Sequence, residues 1–355
     1  MTIHGLIHVL GFAKAFHLAN NTPLTKEISR LSGTLWLLTA VAFSVAAILL
    51  VLKKENWWMV AIAAVIVSQV LIFSVWKDAK YGTIANVIIL IVSILSGGSA
   101  LFESQFKRDV KQHFQSSINN ENNLLTITDL QLLPEPVQRY LIYTGALNKP
   151  KVENMRIIFE GEMRQKGKDW FPFTSRQINF FEQPARLFFM KARMFGVTVP
   201  GYHRFADEKA SMDIRLFGLI PVSQHSGTVM NKAETVTFFN DMCLFAPAAL
   251  IDKRIQWESI DNFSVMAHFT YGNISISATL YFNDTGQLID FRSDDRTDIS
   301  NMNQYTFSTP AKDYRIINGY HLAHYGEAIW MYPEGAFVYG KFRLKSVEYN
   351  IEELE

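Results

Sequence analysis

Three stretches of twenty residues without a charge decide most of what this chain can become. Gly33 to Leu52, Trp57 to Trp76 and Thr83 to Phe102 contain no Asp, Glu, Lys or Arg. About 20 apolar residues at about 1.5 Å rise cross a hydrocarbon core of about 30 Å, so each run predicts a transmembrane helix. The breaks between them, Lys53-Lys54 and Lys77-Asp78-Ala79-Lys80, keep their ions in water. Trp57, Trp58 and Trp76 stand at the run ends, where an indole suits the headgroup zone.

The first nineteen residues are apolar but carry His4, His8, Lys14 and His17. They lack a charged start followed by a small-residue cleavage site, which argues against a cleaved signal peptide. They fit a short fourth membrane helix, our expectation, or an interfacial one. The flanking charges do not orient the spans. Lys14, Lys26, Arg30, Lys77 and Lys80 lie on one side, and Lys53, Lys54, Lys107, Arg108 and Lys111 on the other.

Charge returns after residue 105. Residues 1–105 hold 7 of the 34 Lys and Arg and 4 of the 33 Asp and Glu. The overall formal charge of +1 gives no pull toward nucleic acid. The single cysteine, Cys243, allows neither an internal disulfide nor a cysteine-based zinc site, and its apolar helical neighbours predict a buried thiol. Phe106, Val110 and Phe114 recur at helical spacing, followed by a polar tether, Gln115 to Asn123. The organisation expected is a membrane anchor (1–105), an amphipathic and polar linker (106–127) and a soluble domain (128–355).

From Lys151 on, strand follows strand. Met155 to Met163, Phe171 to Phe181, Ala185 to Met194, Ser211 to Phe217, Ser264 to Tyr271, Ile274 to Phe282 and Gln287 to Ser293 are bounded by turn residues. Tyr305 to Ile317, His321 to Tyr332 and Phe337 to Tyr349 complete the set. Consecutive strands with tight turns predict one large, twisted antiparallel sheet. Glu234 to Ile251 interrupts it: Phe238, Met242 and Phe245 form a helical stripe that Pro247 ends. A helix lying in the concavity of a curved sheet makes a half-barrel, which either fills with side chains or leaves an apolar cavity. The fold expected is therefore an α-helical anchor of three or four transmembrane helices plus a β-rich α+β half-barrel with an inserted helix.

Several segments resemble a family of bacterial membrane proteins known as a domain of unknown function. They are Ile7-His-Val-Leu-Gly-Phe-Ala-Lys-Ala-Phe16, Asp78-Ala-Lys-Tyr-Gly-Thr-Ile-Ala-Asn86, Gln138-Arg-Tyr-Leu, Phe239-Asn-Asp-Met-Cys-Leu-Phe-Ala-Pro-Ala-Ala-Leu250, Ser293-Asp-Asp-Arg296 and Tyr332-Pro-Glu-Gly. That resemblance implies membership and no activity. In strand pattern and interrupting helix, residues 151–351 look like the periplasmic lipoprotein-carrier half-barrel. This second resemblance implies lipid or acyl-chain binding and a periplasmic soluble domain on a multi-pass bacterial inner-membrane protein.

Hydrolase elbows, Walker loops, zincin motifs and dinucleotide fingerprints are absent from the sequence, and no cofactor or metal is expected. Phe188, Met190 and Met194 on one strand face, with Phe238, Met242 and Phe245 on the helix, are the candidate ligand-binding surface. His4 and His8, one helical turn apart, together with Gln69, Asp78, Lys80 and Asn86, are read as an internal polar cluster of the membrane part. The sequence reads first as a module that binds or handles a lipid or acylated ligand, with membrane lipids as partners. One alternative is an enzyme on a membrane-derived substrate, with Asp294, Arg296 and Glu327 as its acid/base group and Arg164 and Arg193 as further cationic partners. Another is a structural or assembly partner in the envelope. Asn240-Asp241 is read as a pinning contact. Oligomeric state leaves no trace in the sequence.

Overall fold

The computed structural model describes residues 1–19, 23–116 and 123–354. Backbone contacts divide the chain into two units: Met1–Glu103 with Phe217–Leu219, and Ser104–Leu216 with Ile220–Glu355.

The first unit contains α1 (Thr2–Ala15), α2 (Arg30–Val51), α3 (Trp57–Ser74), the single turn α4 (Trp76–Ala79) and the apolar part of α5 (Gly82–Ser116). Three helices, α2, α3 and α5, are long and apolar enough to cross a membrane. At 14 residues, α1 reaches only about 21 Å, short of a hydrocarbon core. It packs on α2 through small residues: a Cβ on Gly11 would lie 2.2 Å from the Trp36 ring, and one on Gly33 2.2 Å from Ala15.

In the second unit α5 continues to Ser116, and Phe106 and Val110 on its inner face are fully buried. Phe106 packs against Phe189 and Tyr202, and Asp109 accepts a hydrogen bond from Tyr202 Oη at 2.8 Å. The segment expected to be a linker is thus helical at its start. Most of the polar tether, 117–122, lies outside the described residues. Two short helices follow, α6 (Ile127–Leu130), closed by a Thr126–Asp129 capping box, and α7 (Glu135–Tyr143), which stops at Gly145 with φ +70°.

The sheet begins with the meander β1 (Asn154–Met163), β2 (Phe171–Phe180), β3 (Ala185–Met194), β4 (Val197–Ala206), β5 (Lys209–Leu216) and β6 (Ile220–Ser226). Helix α8 (Thr228–Phe245) and a 3-10 turn at Pro247–Ala249 come next. The chain returns as β7 (Ile255–Ser259), β8 (Ser264–Tyr271), β9 (Ile274–Phe282) and β10 (Leu288–Ser293). Two short strands, β11 (Thr297–Asp298) and β12 (Asn303–Gln304), pair only with each other. The sheet is completed by β13 (Thr306–Ser308), β14 (Ala311–Ile317), β15 (Tyr320–Tyr332) and β16 (Gly335–Tyr349).

Every pairing is antiparallel, in the order β6-β5-β4-β3-β2-β1-β16-β15-β13-β10-β9-β8-β7, with β14 on β15. Because β16 closes onto β1, the path would form a barrel if β6 met β7; among the described residues they do not pair. The chain between these free edges is α8, so the helix must cross the concave face. Two-residue turns with positive φ at both positions, such as Phe195–Gly196 and Asn318–Gly319, match the twist of their hairpins. Register shifts at Ile158/Phe159 and Ala328/Ile329 bend the longest strands.

Strand positions differ from the sequence reading in two ways. Strands β4, β6 and β7 and the short pair β11 and β12 were not expected, and Tyr305 to Ile317 is two strands, parted where Pro310 cannot donate to the ladder. Between sheet and helix lies a core rich in phenylalanine: the Phe239 and Phe269 rings stack at 5.2 Å, and Phe238, Phe205 and Phe291 pack around them.

A fragment starting at residue 104 should be the stable form of this unit. Starting at 123 removes Phe106, which packs on β3 and β4, and the buried Val110, worth about 3–6 kcal/mol together. Urea midpoints of the two fragments test this; equal midpoints would mean that the helical segment is dispensable.

Candidate functional site

A cavity of about 620 Å³ lies within the second unit, between α8 and the concave face of the sheet. Its apolar walls come from both parts of the sheet and from the helix: Phe188 and Met190 on β3, Met230 and Phe245 on α8, and Trp330 and Phe342 on β15 and β16. It extends to the sheet end that carries the β1–β2 and β15–β16 turns, where the lining residues Gln165, Lys166 and Glu334 are exposed.

The inner end is charged. On β3 the even positions face the cavity, and Arg186 stands on the same face as Phe188 and Met190. Its Nε donates to Asp241 Oδ2 at 2.6 Å, Nη1 to Glu234 Oε2 at 3.1 Å and Nη2 to Gln177 Oε1 at 3.1 Å. Glu234 and Asp241 are seven residues apart on α8, two turns along one face. Gln177 also donates to Asp241 at 2.7 Å, and His203 Nδ1 lies 3.1 Å from Glu234 Oε1. Arg186, Glu234, Asp241 and Gln177 are all nearly inaccessible.

The two carboxyl groups titrate apart. Burial alone would raise Glu234, but Arg186, His203 and the more distant Arg296 outweigh it and hold this carboxyl at about 2. Burial also raises Asp241, and there Arg186 with its amide neighbours does not overcome it. Glu234 has the His203 hydrogen bond and the field of Arg296 in addition to Arg186, and Asp241 has neither, so Asp241 is the member that takes up a proton first.

Toward the open end, Arg296 leans over Phe307 at 4.2 Å and Trp330 at 5.3 Å, and Nη1 donates to Tyr339 Oη at 2.8 Å. Tyr332 donates to Asp298 Oδ2 at 2.6 Å. Arg164 stacks between Trp170 and Phe337 at 4.4 and 5.0 Å. Among the described residues no group of three or more His, Cys, Asp or Glu is placed to hold a metal ion.

The six residues expected to bind ligand divide. Phe188, Met190 and Phe245 line the cavity. Phe238 and Met242 are fully buried in the core and do not line it, and Met194, partly buried, packs against the core. The physical reason is the helix phase: the cavity-facing stripe of α8 runs through Glu234, Thr237, Asp241, Leu244 and Phe245, offset from the Phe238–Met242 stripe. Of the three acid/base candidates only Arg296 lines the cavity. Asp294 accepts from Thr306 Oγ1, and Glu327 from Tyr325 Oη at 2.8 Å with Lys312 Nζ 3.6 Å away. Arg193 does not line the cavity, whereas Arg164 does. Asp241 is fixed by Arg186, and Asn240 Nδ2 donates to Thr309 at 3.2 Å. Cys243 is fully buried, and burial pushes its thiol well above the ordinary value.

In the first unit, four of the six polar residues meet. His4 Nε2 donates to Asn86 Oδ1 at 2.8 Å, and Asn86 Nδ2 donates to Ser68 Oγ at 2.9 Å and Gln69 Oε1 at 3.0 Å. Ser68 lies 2.8 Å from His8 Nε2, and His8 Nδ1 donates to the His4 carbonyl at 2.9 Å. Neutral imidazoles satisfy this whole chain of donors and acceptors, which makes it a packing device. Asp78 instead accepts from the Thr25 backbone at 2.7 Å, and Lys80 sits 5.3 Å from the Tyr81 ring centre.

Geometry therefore defines a class: an open antiparallel half-barrel, bridged by one helix over a mixed apolar and charged cavity, in a chain with three helices of membrane-spanning length. The family model for the family of unknown function DUF6544 matches residues 123–342, and the chain belongs to that family. No curated protein matches it. Among solved structures, a Vibrio parahaemolyticus domain named for outer membrane lipoprotein sorting aligns at 10% identity and TM-score 0.35, over 58% of this chain and 88% of its own. A LolA superfamily protein from Nitrosomonas europaea aligns at 6% identity and TM-score 0.35, over 61% and 94%. A β-barrel-like DUF1849 protein from Brucella abortus covers 57% of this chain and all of its own, at 8% identity and TM-score 0.19. Alignments this loose fix neither ligand nor chemistry.

The Glu234 arrangement makes a pH prediction. Its folded value of about 2 lies below the ordinary 4.5, so its contribution, about 3 kcal/mol, is complete above pH 4.5 and fades as pH falls toward 2. The stability gap between wild type and Glu234→Gln, measured as urea midpoints by tryptophan fluorescence, should therefore shrink steadily below pH 4.5. A gap that stays constant to pH 3 would contradict the pairing.

Proposed function

We propose that this protein binds the acyl part of a lipid or acylated ligand in the half-barrel cavity, with its apolar helices anchored in a bacterial inner membrane. The observation that carries this reading is the cavity itself: about 620 Å³ walled by Phe, Met and Trp side chains, within the 300–1,000 Å³ or so usual for ligand sites. Flexible methionines beside flat aromatic rings suit chains of variable shape. Anchoring raises the effective concentration of the cavity near a membrane-borne ligand.

Met190 and Met242 separate a cavity from a core. Met190 lines the cavity and Met242 is fully buried outside it. Met190→Asp should leave the domain folded and abolish binding of a fluorescent fatty acid. Met242→Asp should unfold it, at a cost of several kcal/mol. Native mass spectrometry of the detergent-purified protein should show co-purified lipid, lost in Met190→Asp. A folded Met190→Asp that binds like the wild type would remove the lipid assignment.

We place the half-barrel in the periplasm, in keeping with the resemblance noted in the sequence, since the loop charges balance. Fusions after Glu355 should then give active alkaline phosphatase and dark green fluorescent protein; the reverse pair would put the domain in the cytoplasm.

A further inference from the structure

Among the described residues, Arg296 and Arg164 are the cavity arginines that lie against aromatic rings without an ion pair, and Arg296 is the one whose guanidinium lies over Phe307 and Trp330. Among the described residues its one hydrogen bond to the protein goes to the Tyr339 hydroxyl at 2.8 Å. No carboxylate among the described residues stands within ion-pair distance of it, whereas Arg186 deeper in the same cavity holds two. The carboxylates nearby in sequence are engaged elsewhere. Asp295 pairs with Lys232 at 2.6 Å, Asp298 accepts from Tyr332 and from the Ser300 backbone, and Asp294 accepts from Thr306. A guanidinium has five N–H donors, and stacking leaves its edge free. That edge is a fork matched to a planar pair of oxygens, and in an apolar cavity such a charge-assisted pair is stronger than in water.

We propose that Arg296 is the headgroup site of the cavity: the ligand is an amphiphile with one anionic carboxylate or phosphate head, bound by the Arg296 fork, and an acyl chain along Phe188, Met190 and Phe245. This assignment rests on the acyl-binding reading above and adds the sign and chemistry of the head. Tyr339 is a positioning residue that holds the fork in plane. Arg164, stacked on Trp170 and Phe337 at the open end with its Nε on the Val338 carbonyl, is a second cation that an incoming anion passes.

The test uses the full-length protein in a sugar-headed detergent at pH 8, with equilibrium dialysis of labelled oleate, oleoyl phosphate, oleyl alcohol and inorganic phosphate. Oleate and oleoyl phosphate should each bind at least about tenfold more tightly than oleyl alcohol. Arg296→Gln should bring both anions down to the alcohol and leave the alcohol unchanged. Arg296→Lys, which keeps the charge without the fork, and Tyr339→Phe should retain part of the preference, and serve if Arg296→Gln misfolds. Equal binding of anions and alcohol by the wild type, or a preference that survives in Arg296→Gln, overturns the headgroup site while leaving the acyl cavity standing. Failure of all three chain compounds to bind overturns the cavity reading as well. Inorganic phosphate binding as tightly as oleoyl phosphate would make this a free-anion site and overturn the amphiphile.

Discussion

One guanidinium sets the position of α8, the helix that bridges the open sheet. Apolar contacts alone would let α8 slide or rotate along a curved wall, because hydrophobic burial has no direction. Arg186 removes that freedom by gripping Glu234 and Asp241, two turns apart on one face, and Gln177 on the neighbouring strand. At the C-terminal end of the helix, next to Asp241, Tyr140 and Tyr349 donate to the Cys243 and Phe245 carbonyls, among the last four that no helical N–H can satisfy. Buried ion pairs contribute little net stability compared with apolar packing of the same volume, yet losing one partner costs about 3–5 kcal/mol. We read this cluster as specifying where the helix sits more than how tightly the domain folds.

The sequence carried the fold further than the site. Charge-free runs located the three helices of membrane-spanning length, because length and absence of ions are all that such a helix requires. Alternation gave most strands, but β4 holds Pro200-Gly201 and β6 begins at Ile220-Pro221, residues that weaken a strand signal. They are strands because their neighbours supply the ladder, a tertiary effect that local propensity cannot report. At the site, strand parity was available and unused. Arg186 shares the even positions of Phe188 and Met190, and a charge on an apolar strand face requires a buried partner. The same reasoning on α8 would have found Glu234 and Asp241, seven apart. Which helical stripe faces a cavity and which faces a core is different: Phe238 and Phe245 look alike in sequence, and only the axial rotation fixed by Arg186 separates them.

The two units solve the same problem of buried polarity in opposite ways. In the first, His4, His8, Ser68, Gln69 and Asn86 close a network in which each donor meets an acceptor without any formal charge. That is the economical solution where an unpaired ion would be expensive. In the second, full charges are buried and compensated: two carboxylates against one guanidinium, with His203 on the Glu234 side. The first kind of network holds helices together and has nothing left to offer a ligand. The second leaves an imbalance, expressed as the opposite displacements of the Glu234 and Asp241 carboxyls.

Why the cavity exists at all follows from side-chain size. Cavity positions contributed by β14 and β15 include Ala311, Ala323, Gly326 and Ala328, opposite Phe and Met on β3 and α8. Interiors normally pack to the density of organic crystals, and a void forfeits dispersion contacts along its whole lining. Leucine or phenylalanine at these small positions would recover part of that loss. Glycine also weakens a strand interior, so Gly326 adds a second local cost. The helix is held back from the small residues by its hydrogen bonds to Arg186 and the two tyrosines. A wall of small residues facing a pinned helix therefore sustains a space that apolar packing would otherwise close, and the stability forgone is recoverable only when something apolar occupies it.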